Sequence, residues 1–572
     1  MNNTNKLSLT LCILVATLML TLTTLGIALV SSTQYVVTDL NIHYGGGGAV
    51  TLALSGDCTN ASDFDDYSNL EIGNTIEALP TPTILNKCFT GWYLDNSGNN
   101  KIDFPYEITK AVTLYPVYLD ATSDIQYTYA SNAYTVKAGT SAATGYVGTA
   151  TNIVIPDIYD NGTNGIKPVT AIGAYAFRSK SAIVSVVIPE KVISIGDYAF
   201  YGCSKLTSIT IPDSVVSMGT YVFYNCSRLT NVTVGSRVSS IGSYAFYGCS
   251  TLTSITIPDS VTSIGTYAFD YCSGLTSITI GSGVISIGAY AFYDCNGLTS
   301  IIVSSDNAKY RSGGNCLIEN SSNKLILGCN NSVIPSGVVS IGDNAFSRCD
   351  GLTSITIPDS VTNIGDYAFQ YCSGLTSITV SSGNTKYRSG GNCLIDKSSN
   401  ALILGCRNSV IPSGVTKIRR YAFQSCSGLK SIIIPDSVIS IEDSAFDYCS
   451  GLTSITIGSG VTTIGSYAFR KCRGLTSITI PDSVTSIEDS AFNYCIGLTS
   501  VTIGSGVKKI GRSAFGGCSN LTNVTFKTIT GWTVTTSSTA TTGDAVTISA
   551  TDFTANATLL KTTHVSKYWN RA

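Results

Sequence analysis

The chain has 572 residues, of which 44% are apolar and 12% charged, the latter about half the usual share. Its formal net charge is −2, and no stripe of Lys and Arg is present to neutralise a phosphate backbone, which argues against nucleic-acid binding. Ser, Thr and 54 Gly fill the deficit, so solubility rests on hydroxyl and amide groups more than on charge.

The N-terminus carries an address. Met1 to Lys6 is polar with one cation, Lys6, and Leu7 to Val30 is an apolar run of 24 residues. That run is long for a secretory signal and long enough to span a bilayer. Residues 1–32 are therefore read as a signal peptide cut after Ser32 or as an uncleaved signal anchor. Both place the remainder outside the cytoplasm, in the extracellular space or on the cell surface. Residues 33–120 show no repeat and are expected to form a small β domain. Residues 121–151 are rich in Ser, Thr, Ala and Gly and are expected to be a linker or N-terminal cap.

A 23-residue period then dominates residues 152–526. Two consecutive units read LTSITIPDSVTSIGTYAFDYCSG from Leu252 and LTSITIGSGVISIGAYAFYDCNG from Leu275. The Phe of each Ala-Phe pair keeps register from Phe177 to Phe292, at Phe346 and Phe369, and from Phe423 to Phe515, which makes thirteen units. Two intervals are 54 residues long and hold similar insertions near 304–334 and 381–411. In LTSITI, apolar and hydroxylated residues alternate, the period of a half-buried strand. Leu275, Ile278 and Ile280 should point inward, and Ser277 and Thr279 outward. A Pro-Asp or Gly-Ser step turns the chain. Val-x-x-Ile-Gly forms a second short stretch, and YAFxxC is expected to be a single helical or 3₁₀ turn. One unit cannot bury its own apolar face, so stacked coils must bury one another's.

LTSITIPDSVTSIGxxAFxxCS resembles the BspA-like leucine-rich repeat of bacterial and protist surface proteins. The resemblance implies a β-rich solenoid of leucine-rich-repeat type with 23-residue coils and a parallel concave sheet. It also implies surface display, adhesion and binding of host extracellular proteins. GNCLIENSSNKLILGCNNSVIPSGV and GNCLIDKSSNALILGCRNSVIPSGV resemble the long repeat variant of that family. Between Gly73 and Tyr118, the Gly91-Trp92-Tyr93 step and the closing Thr-Leu-Tyr-Pro-Val-Tyr resemble the internalin-type B repeat, a small β-grasp-like module. Residues 527–572 lose the period and are expected to form a C-terminal β cap over the last apolar face.

Twelve of the 19 cysteines sit three residues after a repeat Phe: Cys203, Cys226, Cys249, Cys272, Cys295, Cys349, Cys372, Cys426, Cys449, Cys472, Cys495 and Cys518. Equivalent positions stack in a solenoid, so these are expected to be a ladder of small buried side chains. No CxxC and no accompanying His supports a metal site, and no cofactor is implied. Cys316 and Cys329 flank an expected hairpin turning near Ser322 and Asn323, as Cys393 and Cys406 flank its second copy. Each pair is a candidate disulfide in an oxidising exterior, with packed thiols as the alternative.

Catalysis has little material. The two histidines, His43 and His564, lie outside the array. Asp213, Asp259, Asp359, Asp436 and Asp482 each follow Pro in a turn, where Asp is an ordinary turn former. No acid/base constellation is visible, so an enzyme is not expected and a secreted glycan or peptide hydrolase is the weakest reading. The candidate binding face is the hydroxylated side of the strands: Ser254, Thr256, Ser277, Thr279, Ser354, Thr356, Ser377, Thr379, Ser454 and Thr456. Such a face suits repeated weak hydrogen bonds to an extracellular protein or cell-surface ligand. It equally suits a bland soluble surface. The expected function is adhesion or protein binding at the cell surface, with a ligand-free structural envelope protein as the alternative.

Overall fold

The computed structural model describes residues 34–35, 40–44, 50–55, 58–60, 63, 70–71, 73–95, 100–140, 144–538 and 543–571. The expected signal peptide or anchor at 1–32 lies outside the described residues. The chain divides into two compact units, Met1–Phe292 and Tyr293–Ala572. Each carries the same β-solenoid coil, and the coils number about 15, of about 23 residues.

One coil of the second unit shows how the repeat folds. Ser454–Ile457 is a strand that pairs in parallel with Ser431–Ile434, Ser454 facing Ser431 and Ile457 facing Ile434. A turn leads into the short strand Thr463–Ile464, which pairs in parallel with Ser486–Ile487 in a second sheet. The third side is not the expected helical or 3₁₀ turn. It consists of tight turns: Ala468 N–H donates to Gly465 O, Arg470 to Tyr467 O, and Cys472 to Phe469 O. Tyr467 and Lys471 both sit at φ 57°, in the left-handed region, so a right-handed helix cannot propagate. Other amides of this side reach the next coil, Phe469 N–H to Ala491 O at 2.7 Å and Lys471 N–H to Asn493 O at 2.8 Å. Leu452, Val461, Ile464, Ala468, Phe469 and Cys472 are all fully buried.

Identical residues therefore stack. In the first unit, Phe177, Phe200, Phe223, Phe246, Phe269 and Phe292 form a continuous stack with ring centroids 5.2–5.4 Å apart. Tyr175, Tyr198, Tyr221, Tyr244, Tyr267 and Tyr290 form a second stack at 4.5–5.1 Å. Each of these tyrosines has φ between 55° and 57°. A bulky residue there costs on the order of 1–3 kcal/mol. Ring contacts of about 0.5–1.5 kcal/mol per pair offset part of that cost. The repeat tyrosines thus form a stacked ladder.

The insertions are extra coils, which raises the expected thirteen to about 15. In the first, Tyr310–Gly313, Cys316–Glu319 and Lys324–Leu327 form an antiparallel three-strand ribbon. Its last strand then pairs in parallel with Ser340–Ile341, taking the place of the second short strand of a coil. Tyr387–Gly390, Cys393–Asp396 and Ala401–Leu404 repeat this arrangement, the last pairing with Lys417–Ile418.

Both ends are covered. At the N-terminal side, Tyr127–Ala130 and Ala133–Val136 form a hairpin whose second strand pairs in parallel with Lys167–Ile172. The segment expected to be a linker or cap thus starts the second sheet. Before it, Leu40–Tyr44, Val50–Ser55, Lys87–Tyr93 and Val112–Asp120 share a mixed sheet around Leu52, Leu54, Trp92 and Leu114. Asp157 joins this sheet to the first coil. Its N–H donates to Lys87 O at 3.1 Å, and its carboxylate accepts from Phe89 N–H at 2.7 Å. At the other end, Tyr568–Arg571 pairs antiparallel with both Lys509–Ile510 and Trp532–Thr535. Trp532 packs edge-on against both Phe526 and Trp569, and Trp569 stacks on Phe526. The short helix Phe553–Thr558, capped by Asp552, was not expected; its Asn556 amide donates to Val524 O, so a polar side chain satisfies the exposed end of a coil.

Two predictions follow from this packing. Phe446→Ala removes the middle of the stack Phe423, Phe446 and Phe469 and should destabilise the fold by about 3–5 kcal/mol in denaturant titration. The second concerns Asp157, which is buried with Oδ1 unpartnered; burial pushes its carboxyl up to about 7. A raised acid binds more protons when folded, so its contribution is full below about pH 4 and is lost as pH rises to 7. Amide hydrogen exchange at Phe89 should accelerate relative to its intrinsic rate across that window, and Asp157→Asn should flatten the dependence.

Candidate binding face and buried thiol columns

The strand side chains sort into three roles, of which the sequence pattern separates only the inward one. Inward residues, such as Ile255, Ile278, Ile355 and Ile378, are buried. The Thr that opens each LTSITI stretch has its hydroxyl engaged by a carbonyl of the preceding coil. Thr276 Oγ1 donates to Thr253 O at 3.0 Å, Thr376 to Thr353 O at 2.8 Å and Thr453 to Lys430 O at 2.9 Å. The remaining Ser and Thr face outward.

In the first unit, Ser254 and Thr256 are exposed and Ser277 and Thr279 half-buried, in register Ser254 to Ser277 and Thr256 to Thr279. In the second unit, Ser354, Thr356, Thr379, Ser454 and Thr456 are exposed and Ser377 half-buried. Thr356 and Thr379 share a hydroxyl–hydroxyl bond of 2.7 Å. The hydroxyl columns are broken by isoleucines. Ile433 faces Thr456 across the sheet and is 69% exposed, and Ile302 is 51% exposed. These two were missed in the sequence reading. Their signal was a departure from the repeat, SIII and SIIV where SITI is usual.

The twelve repeat cysteines are buried in columns, Cys203, Cys226, Cys249 and Cys272 in the first unit and Cys295, Cys349, Cys372, Cys426, Cys449, Cys472, Cys495 and Cys518 in the second. Most donate to a Phe carbonyl of the preceding coil: Cys272 Sγ to Phe246 O at 3.1 Å, Cys449 to Phe423 O at 3.0 Å, Cys495 to Phe469 O at 3.0 Å. Where an insertion places Gly in that column, Cys349 and Cys426 lie 3.8 Å from Gly328 O and Gly405 O. Burial pushes the Cys203 and Cys426 thiols up to about 12, so neither is a thiolate near neutrality.

Cys316, Cys329, Cys393 and Cys406 are free thiols. The expected hairpin does turn through residues 320–323, but its register differs from the expected one. Cys316 faces Gly313 on one side, a bulge follows at Leu317 on the other, and Cys329 lies beyond the strand Lys324–Leu327. The reason is that this strand leaves the ribbon to join the coil. Cys329 Sγ instead approaches Asn315 O at 3.4 Å, and Cys406 repeats this with Asn392 O at 3.6 Å.

The Asp residues after Pro do more than turn the chain. Asp213, Asp259 and Asp436 each accept from the backbone N–H of a Ser one coil later at 2.6 Å, and Asp482 from Ser505 at 2.7 Å. These amide donors hold the Asp259, Asp436 and Asp482 carboxyls below their usual range. They are links between coils. His564 packs edge-on against Trp569 at 5.7 Å, away from any carboxylate–nucleophile set. Among the described residues, no group of three His, Cys, Asp or Glu is placed to hold a metal ion, and no helix is long and apolar enough to cross a membrane.

Parallel 23-residue coils with one hydroxylated sheet face define a leucine-rich-repeat solenoid. The chain belongs to the family described as BspA type leucine rich repeat region, whose model matches six copies over residues 170–299, 239–330, 317–393 and 394–522. Proteins of this type are typically bacterial cell-surface proteins, and their fold is that of non-enzymatic repeat proteins. Among solved structures, a leucine rich cell surface protein from Faecalibacterium prausnitzii is 32% identical, with 71% of this chain and 94% of that chain covered and a TM-score of 0.45. A leucine-rich repeat protein from Bacteroides ovatus is 26% identical, with coverage of 71% and 93% and a TM-score of 0.33. The pneumococcal vaccine antigen PcpA is 20% identical, with coverage of 71% and 87% and a TM-score of 0.36. No curated protein matches the chain.

The thiol columns generate a direct check. Iodoacetamide at mildly alkaline pH should leave Cys272, Cys449 and Cys495 unmodified in the native protein, and peptide mass spectrometry should show them alkylated once denaturant is added.

Proposed function

We propose that this protein is an exported adhesion or protein-binding scaffold, and that it engages an extracellular or cell-surface partner through the hydroxylated strand face. The observation that carries this reading is the placement of Ile433 at 69% exposure within a column of outward hydroxyls. Apolar anchors ringed by weak polar contacts are the usual energetic centre of an interface. The hydroxyls of Ser454 and Thr456 on the paired strand supply adaptable donors and acceptors beside it.

Family membership supports the reading, because repeat proteins of this class are associated with protein binding and adhesion. Export through residues 1–32 belongs to the same proposal and rests on their sequence alone. The assignment of residues 33–120 as an internalin B-repeat-like module is part of the same proposal, supported by a mixed sheet in which Val50–Ser55 runs parallel to Val112–Asp120. A ligand-free envelope protein is the competing reading, and it predicts self-association without a heterologous partner.

Surface plasmon resonance of the full chain against a panel of extracellular-matrix proteins tests the proposal. At least one should bind, and Ile433→Asp should weaken that binding at least tenfold without lowering the melting temperature. Silence across the panel, with concentration-dependent self-association, would favour the envelope reading.

A further inference from the structure

The second insertion creates a coil that is too short for its neighbours. In the following coil, Phe423 lies five positions after Ile418; in the insertion, the residue at the Phe position, Gly405, lies only three after Leu402, the register partner of Ile418. Gly405 takes the Phe position: its N–H donates to Ala422 O, and Cys426 approaches its carbonyl. A Cβ there would collide with the Phe423 ring, so only Gly allows the passage. The tyrosine and phenylalanine of an ordinary coil are missing from this level.

The coils on either side do not fill the shortfall completely. Tyr367 and Tyr421 approach to 4.7 Å between ring centroids, with their hydroxyls 3.3 Å apart, and Gln370 Nε2 donates to Gln424 Oε1 at 2.7 Å. A cavity of about 600 Å³ remains. Its lining includes the apolar Ile403 and Leu404, the two tyrosines, and charged groups of both signs. Lys386 and Asp396 neutralise each other at 2.8 Å. Three further groups point to a ligand. Arg419 is exposed and makes no side-chain hydrogen bond or ion pair among the described residues, the Asp366 carboxylate likewise has no such partner, and Glu442 accepts one backbone N–H, from Arg420 at 3.2 Å.

The balance of these groups selects the ligand chemistry. An anion meeting Arg419 would also face Asp366 and Glu442, and a cation meeting those carboxylates would face Arg419. Hydroxyl groups both donate and accept, so a polyol can satisfy all three. Tyrosine rings provide an apolar surface beside polar hydroxyls, which suits the C–H faces of a sugar ring. The volume lies within the ordinary range of about 300–1,000 Å³ for small-ligand sites. We propose that this cavity, formed by the shortened coil of residues 381–411, binds a neutral oligosaccharide, independently of the strand face.

Saturation-transfer NMR of the full chain with lactose, maltotriose and chitotriose as neutral probes, and a heparin-derived tetrasaccharide as the acidic comparator, tests this. Transfer to at least one neutral probe is expected. Arg419→Ala and Tyr367→Ala should each weaken it at least tenfold, and Lys508→Ala, outside the cavity lining, should leave it unchanged. Arg419 is exposed, so its variant should keep the wild-type melting temperature even where Tyr367→Ala does not. The proposal is overturned by no transfer to any neutral probe, by transfer that survives Arg419→Ala at full strength, or by binding of the acidic comparator alone.

Discussion

Everything in this protein depends on a backbone amide finding its carbonyl in the neighbouring coil. Phe469 N–H reaches Ala491 O, and Ser454–Ile457 pairs residue for residue with Ser431–Ile434. A single coil leaves those groups unsatisfied and its apolar face open to water, so neither the hydrogen bonds nor the core exists before coils stack. The requirement sets the period. A coil with one residue more or fewer would turn strand side chains to the wrong face.

Strict register has a second consequence: like stacks on like. Phe meets Phe, Tyr meets Tyr, and Cys follows Cys along its column. For Phe this adds ring contact to burial. For Tyr it offsets a left-handed backbone that a bulky residue otherwise avoids. For Cys it provides a small side chain that also donates to a Phe carbonyl, which links packing and polar satisfaction at one position. The Asp after Pro performs the same function outside the core by accepting an amide one coil later.

The places where the repeat is violated carry the functional interest. Ile433 interrupts a column of hydroxyls and exposes an apolar side chain. The shortened coil of the second insertion omits the aromatic pair of an ordinary coil and leaves a cavity whose lining includes some unspent polar groups. A perfect solenoid would present the same weak surface along its length. Departures from it supply chemistry at defined levels.

Much of this architecture was legible in the chain itself. The 23-residue spacing, the alternation in LTSITI and the recurring Ala-Phe pair determined parallel coils and which side chains turn inward, because a one-dimensional stack maps sequence period directly onto spatial neighbours. The two roles of Ser and Thr were not legible. Thr276 and Thr279 are three residues apart and chemically identical, yet the Thr276 hydroxyl donates to Thr253 O of the preceding coil while Thr279 lies in register with Thr256 on the strand face. The left-handed tyrosine was hidden too, since YAFxxC suits a helical turn until inter-coil amide bonds override local preference. So was the insertion, whose cysteines suggested a closed hairpin. Only the tertiary structure showed Lys324–Leu327 leaving the ribbon to become part of a coil, because that choice rests on pairing with Ser340–Ile341 and on the apolar face it covers, neither of which is local in sequence.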